Sequence, residues 1–242
     1  MKRFLIFTKA LLLIHLRARE VLFWNFAFPV FLMLIYGLIM AEYMKWLTPG
    51  VIVLNALSFG LVSSSAVLVE MREKGILRRL RATPLPALHL LGAYLSVNLL
   101  LGLGQGGLIL LVGVAVYGLK LSFVGLALGL PMIVAGALTF LALGQVVGGL
   151  APKAGVATAA GMTLYFGLMF ISDMVFPVAQ LPAWLQAVVA YFPSYAVVQL
   201  VRAPLLEGTL AANWPVNLAL MAAYALAATL IAGRLFRWDP RA

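Results

Sequence analysis

Charge that could do chemistry is concentrated between residues 70 and 81. Glu70, Arg72, Glu73, Lys74, Arg78, Arg79 and Arg81 fall there, in a chain with only 17 Lys and Arg and 7 Asp and Glu. Mixed charge at this density suits recognition of another charged surface, where it sets register and specificity more than affinity. It does not suit catalysis: no paired carboxylates and no nucleophile–base pair stand out. His15 and His89 are isolated, and a metal site needs further ligands nearby. There is no Cys, which excludes disulfides, thiolate chemistry and Cys-ligated metals. No P-loop lysine motif occurs, so the chain cannot bind and hydrolyse ATP by that route. Gly102–Gly107 reads GLGQGG, but no strand precedes it and no ribose-binding acid follows, so close helix packing is its expected use. The same use is expected of Gly102/Gly106, Gly125/Gly129 and Gly144/Gly148, each a small-xxx-small pair.

The elements that must position this block are hydrophobic. The sequence is 64% apolar and 10% charged, with a mean hydropathy of +1.09, against roughly 45–50% and about 25% for a soluble domain. It therefore reads as an all-α integral membrane protein. The ~10-residue alternation of a barrel is absent. Residues 1–20 mix Lys2, Arg3, Lys9, Arg17, Arg19 and Glu20 with Phe, Leu and Ile, which fits an interfacial helix whose basic side chains snorkel to headgroups. Lys9 interrupts the apolar run, so a cleaved signal peptide is not expected. Six spans follow: Leu22–Met40, Pro49–Val69, Leu88–Tyr117, Phe123–Leu150, Val156–Ser172 and Trp214–Leu235. An outer loop with Glu42, Lys45 and Trp46 separates the first two. Residues 173–213 carry Pro177, Pro182, Pro193 and Pro204, and their apolar pieces (183–192 and 195–203) are too short to cross. They are expected to dip into the outer leaflet and return. Residues 236–242 form a basic tail.

Charge sets the orientation. With both termini cytoplasmic, 14 of the 17 basic residues lie inside and only Lys45, Lys120 and Arg202 lie outside, as the positive-inside rule demands. The rule also explains the net charge of +10 without nucleic acid. The five Trp (24, 46, 184, 214 and 238) fall at span ends or in the outer segment, as an aromatic belt. All seven acids lie at span ends or in loops. A proton- or sodium-coupled carrier usually places ionisable groups within the membrane, so energy for transport would come from elsewhere.

A positive-inside loop accounts for Arg78, Arg79 and Arg81 in residues 70–86. It does not require Glu70 and Glu73, nor a helix-forming stretch closed by Thr83-Pro84-Leu85-Pro86, where Pro84 should end a helix. A docking helix is the better reading. The segment EMREKGILRRLRATPLP resembles the coupling helix of type-2 ABC exporter permeases. Three further stretches resemble the same family: Arg17–Pro29, Phe176–Trp184 and Phe192–Arg202. Ile76 departs from the family's usual Thr, while Gly75 is kept.

The resemblance implies a membrane-spanning permease subunit in a prokaryotic plasma membrane, itself not an enzyme. A separate ATPase, carrying ATP and Mg, would dock on Glu70, Arg72, Glu73, Lys74, Gly75, Arg78, Arg79 and Arg81. A second permease copy, a homodimer for preference, would enclose the path, and the chain itself would bind no cofactor. Spans two and five line the path in related permeases. Asn55, Phe59 and Val62 in span two, with Met162, Tyr165, Phe166, Met169 and Phe170 in span five, are the corresponding candidates here; lipid contact or helix packing is their alternative use. Met and aromatic side chains repack around varied ligands, so the expected cargo is a hydrophobic or amphipathic drug- or lipid-like molecule. A lipid-linked polysaccharide exporter and a non-transporting membrane anchor for a cytoplasmic enzyme are the alternatives.

Overall fold

Backbone inside hydrocarbon has no water to bond, so it must satisfy itself within helices or closed barrels. The long apolar runs here take the helical solution. The computed structural model describes residues 2–17, 19–81 and 87–236, and every regular element among them is helical. In chain order the α-helices are α1 (Lys2–Arg17), α2 (Arg19–Ile39), α3 (Met44–Ser58), α4 (Ser65–Glu73), α5 (Ile76–Arg81), α6 (Ala87–Ala115), α7 (Phe123–Leu150), α8 (Ala154–Ile171), α9 (Ala183–Val189), α10 (Pro193–Glu207) and α11 (Trp214–Leu235). The tail beyond residue 236 lies outside the described residues.

Among the described residues, five stretches are long and apolar enough to cross a membrane: Ala41–Glu73, Gly92–Ala115, Phe123–Leu150, Ala154–Ile171 and Trp214–Leu235. They coincide with the second to sixth expected spans. The first expected span is α2, 21 residues long, whose apolar stretch is shorter, Phe26–Ile39. Helices α9 and α10 form a pair bent by 85°, each too short to cross alone. Pro193 opens α10, where its missing donor costs nothing. The outer loop is tighter than expected. It is a single 3-10 turn, Ala41–Tyr43, and Lys45 and Trp46 already belong to α3.

Helix ends sort to two faces. Leu235, closing α11, sits against Gly149 near the end of α7. The α4 terminus and the α7–α8 turn join them at this basic end, shown below. At the far end Tyr117 donates to the Met33 carbonyl at 2.9 Å, joining α2 to the end of α6. There too the start of α7 meets the end of α10, Gly125 lying against the Pro204 carbonyl. Helix α1 lies along α6, with Leu11 clustered among Ala93, Tyr94, Val97 and Leu101.

The core is built around α7, which packs on α10, α11 and the span formed by α3 and α4. A π turn, Phe59–Ser64, joins α3 to α4. A Cβ added at Gly144 would lie 1.8 Å from the Gly60 carbonyl oxygen, so the two backbones meet only because both residues are glycine. Gly148 sits against Leu68 and Ser65, and Gly125 and Gly129 against Pro204 and Leu205. Those two glycine pairs therefore pack as expected. The Gly102/Gly106 pair is split: Gly106 touches Ile52, while Gly102 faces open space. Gly144→Ala is expected to destabilise the fold by about 1–3 kcal/mol through overpacking, whereas Gly102→Ala should leave it within about 0.5 kcal/mol. Thermal unfolding of the two variants in detergent separates them.

Candidate functional site

The charged block is not one helix. Nothing in Ala66–Glu73 stops a helix, so the span runs on as α4 to Glu73. The break comes at Gly75, whose φ of 65° lies in the left-handed region that glycine enters without strain. Its N–H donates to the Arg72 carbonyl at 3.1 Å. Helix α5 then starts afresh, its first turn closed by Arg79 N–H on the Gly75 carbonyl at 3.1 Å. Leu77 is buried and anchors α5, leaving Arg78 and Arg79 exposed. Glu73 and Lys74 are exposed, and Lys74 pairs with Glu70 one turn back at 2.5 Å. Such an exposed pair contributes little stability, so these charges remain usable by a partner. Arg72, grouped with them by sequence, is buried at 2% exposure. The side chains of Arg81, His15 and His89, and residues 82–86 with the expected stop at Pro84, lie outside the described residues.

The candidate path residues do not form one surface. Met162, Phe166 and Phe170 recur every fourth residue and are exposed, on a helix with only 11% of its window buried. Tyr165 packs on the main core. In the other span Asn55 is buried, and Phe59 packs on the α1–α6 cluster instead. Val62 lies against Gly161 of α8, whose added Cβ would meet the Leu61 carbonyl at 2.5 Å. The two spans thus touch directly, and no room is left between them there. An open groove at the far end is lined by Ile39, Met40, Ala41, Glu42 and Tyr43, none of them a predicted path residue.

The far end holds a buried polar centre that sequence reasoning missed. Asp173 follows α8 with a φ of 62°, a conformation Asp tolerates better than most residues. Its carboxylate pairs with Arg202 of α10, accepts from Gln199 at 3.0 Å and from the Val178 N–H at 2.8 Å. Arg202 also donates to the Asp173 carbonyl. The guanidinium lies 3.8 Å from the ring centroid of Trp46, a cation–π contact strengthened by burial. Trp46 in turn lies beside Tyr43, with ring centroids 4.7 Å apart. Trp46 therefore serves this centre as well as any aromatic belt. The centre joins the end of α8, helix α10 and the start of α3. A signal was present: Arg202 is the one cation in residues 173–213, and such a charge, once buried, needs an acid. Among the described residues, no group of three or more His, Asp or Glu could hold a metal.

A sequence profile of the ABC-2 type transporter family matches residues 2–206. The chain belongs to that family. Comparison with individual curated proteins found no match. As an ABC-2 membrane domain the chain is a multi-pass transporter permease, and the family implies a partner ATPase subunit. The match runs through the charged block and α5, and ends inside α10.

Removing one partner of a buried ion pair costs about 3–5 kcal/mol, while replacing both by uncharged groups is often near neutral. Asp173→Asn is expected to lower stability by that amount. Adding Arg202→Met should recover much of the loss. A double-mutant cycle of detergent melting curves checks this, and simple additivity would show that the pair is not coupled.

Proposed function

We propose that this ABC-2 permease exports a hydrophobic or amphipathic small molecule, driven by a separate ATPase that docks at the basic end. The observation that carries the reading is the break at Gly75. It turns a short helix bearing Arg78 and Arg79 away from the end of a membrane span whose last exposed residue is Glu73. A surface at a span terminus can pass mechanical work into that span, which a surface on a slack loop cannot. Glu70, Glu73, Lys74, Gly75, Arg78, Arg79 and Arg81 are the proposed docking residues, with opposite charge on the ATPase setting register. ATP and Mg would be bound there and not by this chain.

The basic residues of the block, with Lys153 and Arg234, lie at helix termini of one end, which supports a cytoplasmic placement of both chain termini. The exposed Met162, Phe166 and Phe170 support an apolar cargo over a polysaccharide, whose corridor would want hydrogen-bonding groups. Because α8 lies directly against the π turn, a path needs a second permease copy facing this surface. A homodimer in a prokaryotic plasma membrane is the proposed assembly.

Affinity purification of the chain from its native membranes in mild detergent is the direct test. The expected result is a stoichiometric P-loop ATPase, retained by the parent chain and lost on Glu73→Lys or Arg79→Glu. A chain that keeps its dimer but brings no ATPase would remove the energy source and favour a membrane anchor or a secondary carrier.

A further inference from the structure

Arg72 differs from its charged neighbours. Glu73, Lys74, Arg78 and Arg79 are exposed, whereas Arg72 is 2% exposed and among the largest fully buried side chains. Its Nη1 donates to the Gly148 carbonyl at 3.4 Å, and its Nη2 donates to the Ala151 carbonyl. Those carbonyls belong to the last turn and cap of α7, which has no intrahelical donors left for them. A cation is favoured at a helix C-terminus, and a planar guanidinium can reach two carbonyls at once. The main chain of the same residue holds the coupling turn, since the Gly75 N–H bonds to the Arg72 carbonyl. One residue is therefore bonded to the turn on one side and to the end of α7 on the other.

Little slack exists beyond it. Val69, Ala151 and Ala157 are buried together with Ala154 beside them, so the end of α4 sits against the first turn of α8 through small side chains. The α7–α8 connection is only Ala151 to Lys153. Displacement of α4 at Gly75 would have to drag the α7 cap and the start of α8, or break bonds to a buried charge.

We infer that Arg72 is a positioning residue for coupling: it carries movement of the α5 segment into the α7–α8 junction and does not touch the ATPase. The inference rests on the proposed ATPase docking, and its test separates the two. The chain has no Cys, so Lys153→Cys, at an exposed position of the junction, accepts a single spin label. The probe is that labelled chain with its co-purified ATPase in lipid nanodiscs, read with and without ATP and vanadate. The parent chain should show an ATP-dependent change in label mobility. Arg72→Gln should keep the ATPase in the complex, unlike Glu73→Lys, yet reduce that change at least about fivefold, the lower range of coupling between distinct sites. Arg72→Lys, which keeps the charge without the planar fork, should fall between. Loss of the ATPase from Arg72→Gln would make Arg72 a docking contact and overturn the inference. An unchanged label response in either variant, or a junction label in the parent complex that ignores ATP, would overturn it too. Should Arg72→Gln not fold by size exclusion, Arg72→Lys alone decides. A parent chain that brings no ATPase defeats the docking reading itself, and this inference with it.

Discussion

A guanidinium taken out of water must be compensated where it lies, and much of this architecture follows from two that are. Arg72 at the basic end and Arg202 at the far end are both buried. The idealised cost of moving such an ion into a low dielectric is of order 20 kcal/mol, and several kcal/mol survive relaxation. Each is met by groups from elements distant in sequence. Arg72 uses the carbonyls that end α7. Arg202 uses Asp173, the backbone beside it and the face of Trp46. Neither cation can be satisfied until those elements have docked, so both enforce one arrangement of the helices.

Between the two ends the work passes to shape. Lipid gives apolar helices no hydrophobic reason to associate, so close backbone contact has to supply the attraction. Glycines of α7 admit the π turn, and Gly161 of α8 admits the Leu61 carbonyl from its other side. The wide turn is itself accommodated: Ser64 and Ser65 return their hydroxyls to the Gly60 and Leu61 carbonyls at 2.6 and 2.5 Å. Gln145 of α7 reaches the Ser64 hydroxyl at 3.3 Å, and Tyr94 of α6 donates to the Ser64 carbonyl at 3.3 Å. These hydroxyl, amide and phenol groups thus bond locally or across one helix, which offsets the cost of burying them.

How much of this was legible varies with what decided it. The apolar runs had to be helices, and Phe123–Leu150 and Trp214–Leu235 have the bounds expected of them. The glycine pairs of α7 could be read because small residues at that spacing serve few other purposes. The burial of Arg72 could not: it sits among exposed charges, and only the position of the α7 cap, nearly eighty residues on, decides its environment. Gly75 is in plain view, yet Pro84 is the stronger stop signal by sequence, so the block reads as one helix until the φ of Gly75 is known. The path residues were chosen by helical spacing, but α8 is apolar on every side, and such a helix carries no periodic mark of which face meets protein. Phe59 opens the π turn of the other span, and packing toward α1 and α6, not helical spacing, decides where it points.

The two arginine centres also constrain where a path can open. At the basic end Arg72 ties the span of α3 and α4 to the cap of α7, just before α8 begins. At the far end Asp173, Arg202 and Trp46 tie the end of α8 to the start of α3, and Gly161 closes the middle. Parting these two spans within one chain would strain the bonds of Arg72 at one end or lose the Arg202–Trp46 contact at the other, and would empty a glycine contact as well. Moving them together costs neither. The exposed face of α8, bearing Met162, Phe166 and Phe170, makes no such commitments. On the proposed reading, space for a cargo is therefore cheaper to create along that face, against a second permease copy, than between α8 and the span of α3 and α4 within one chain.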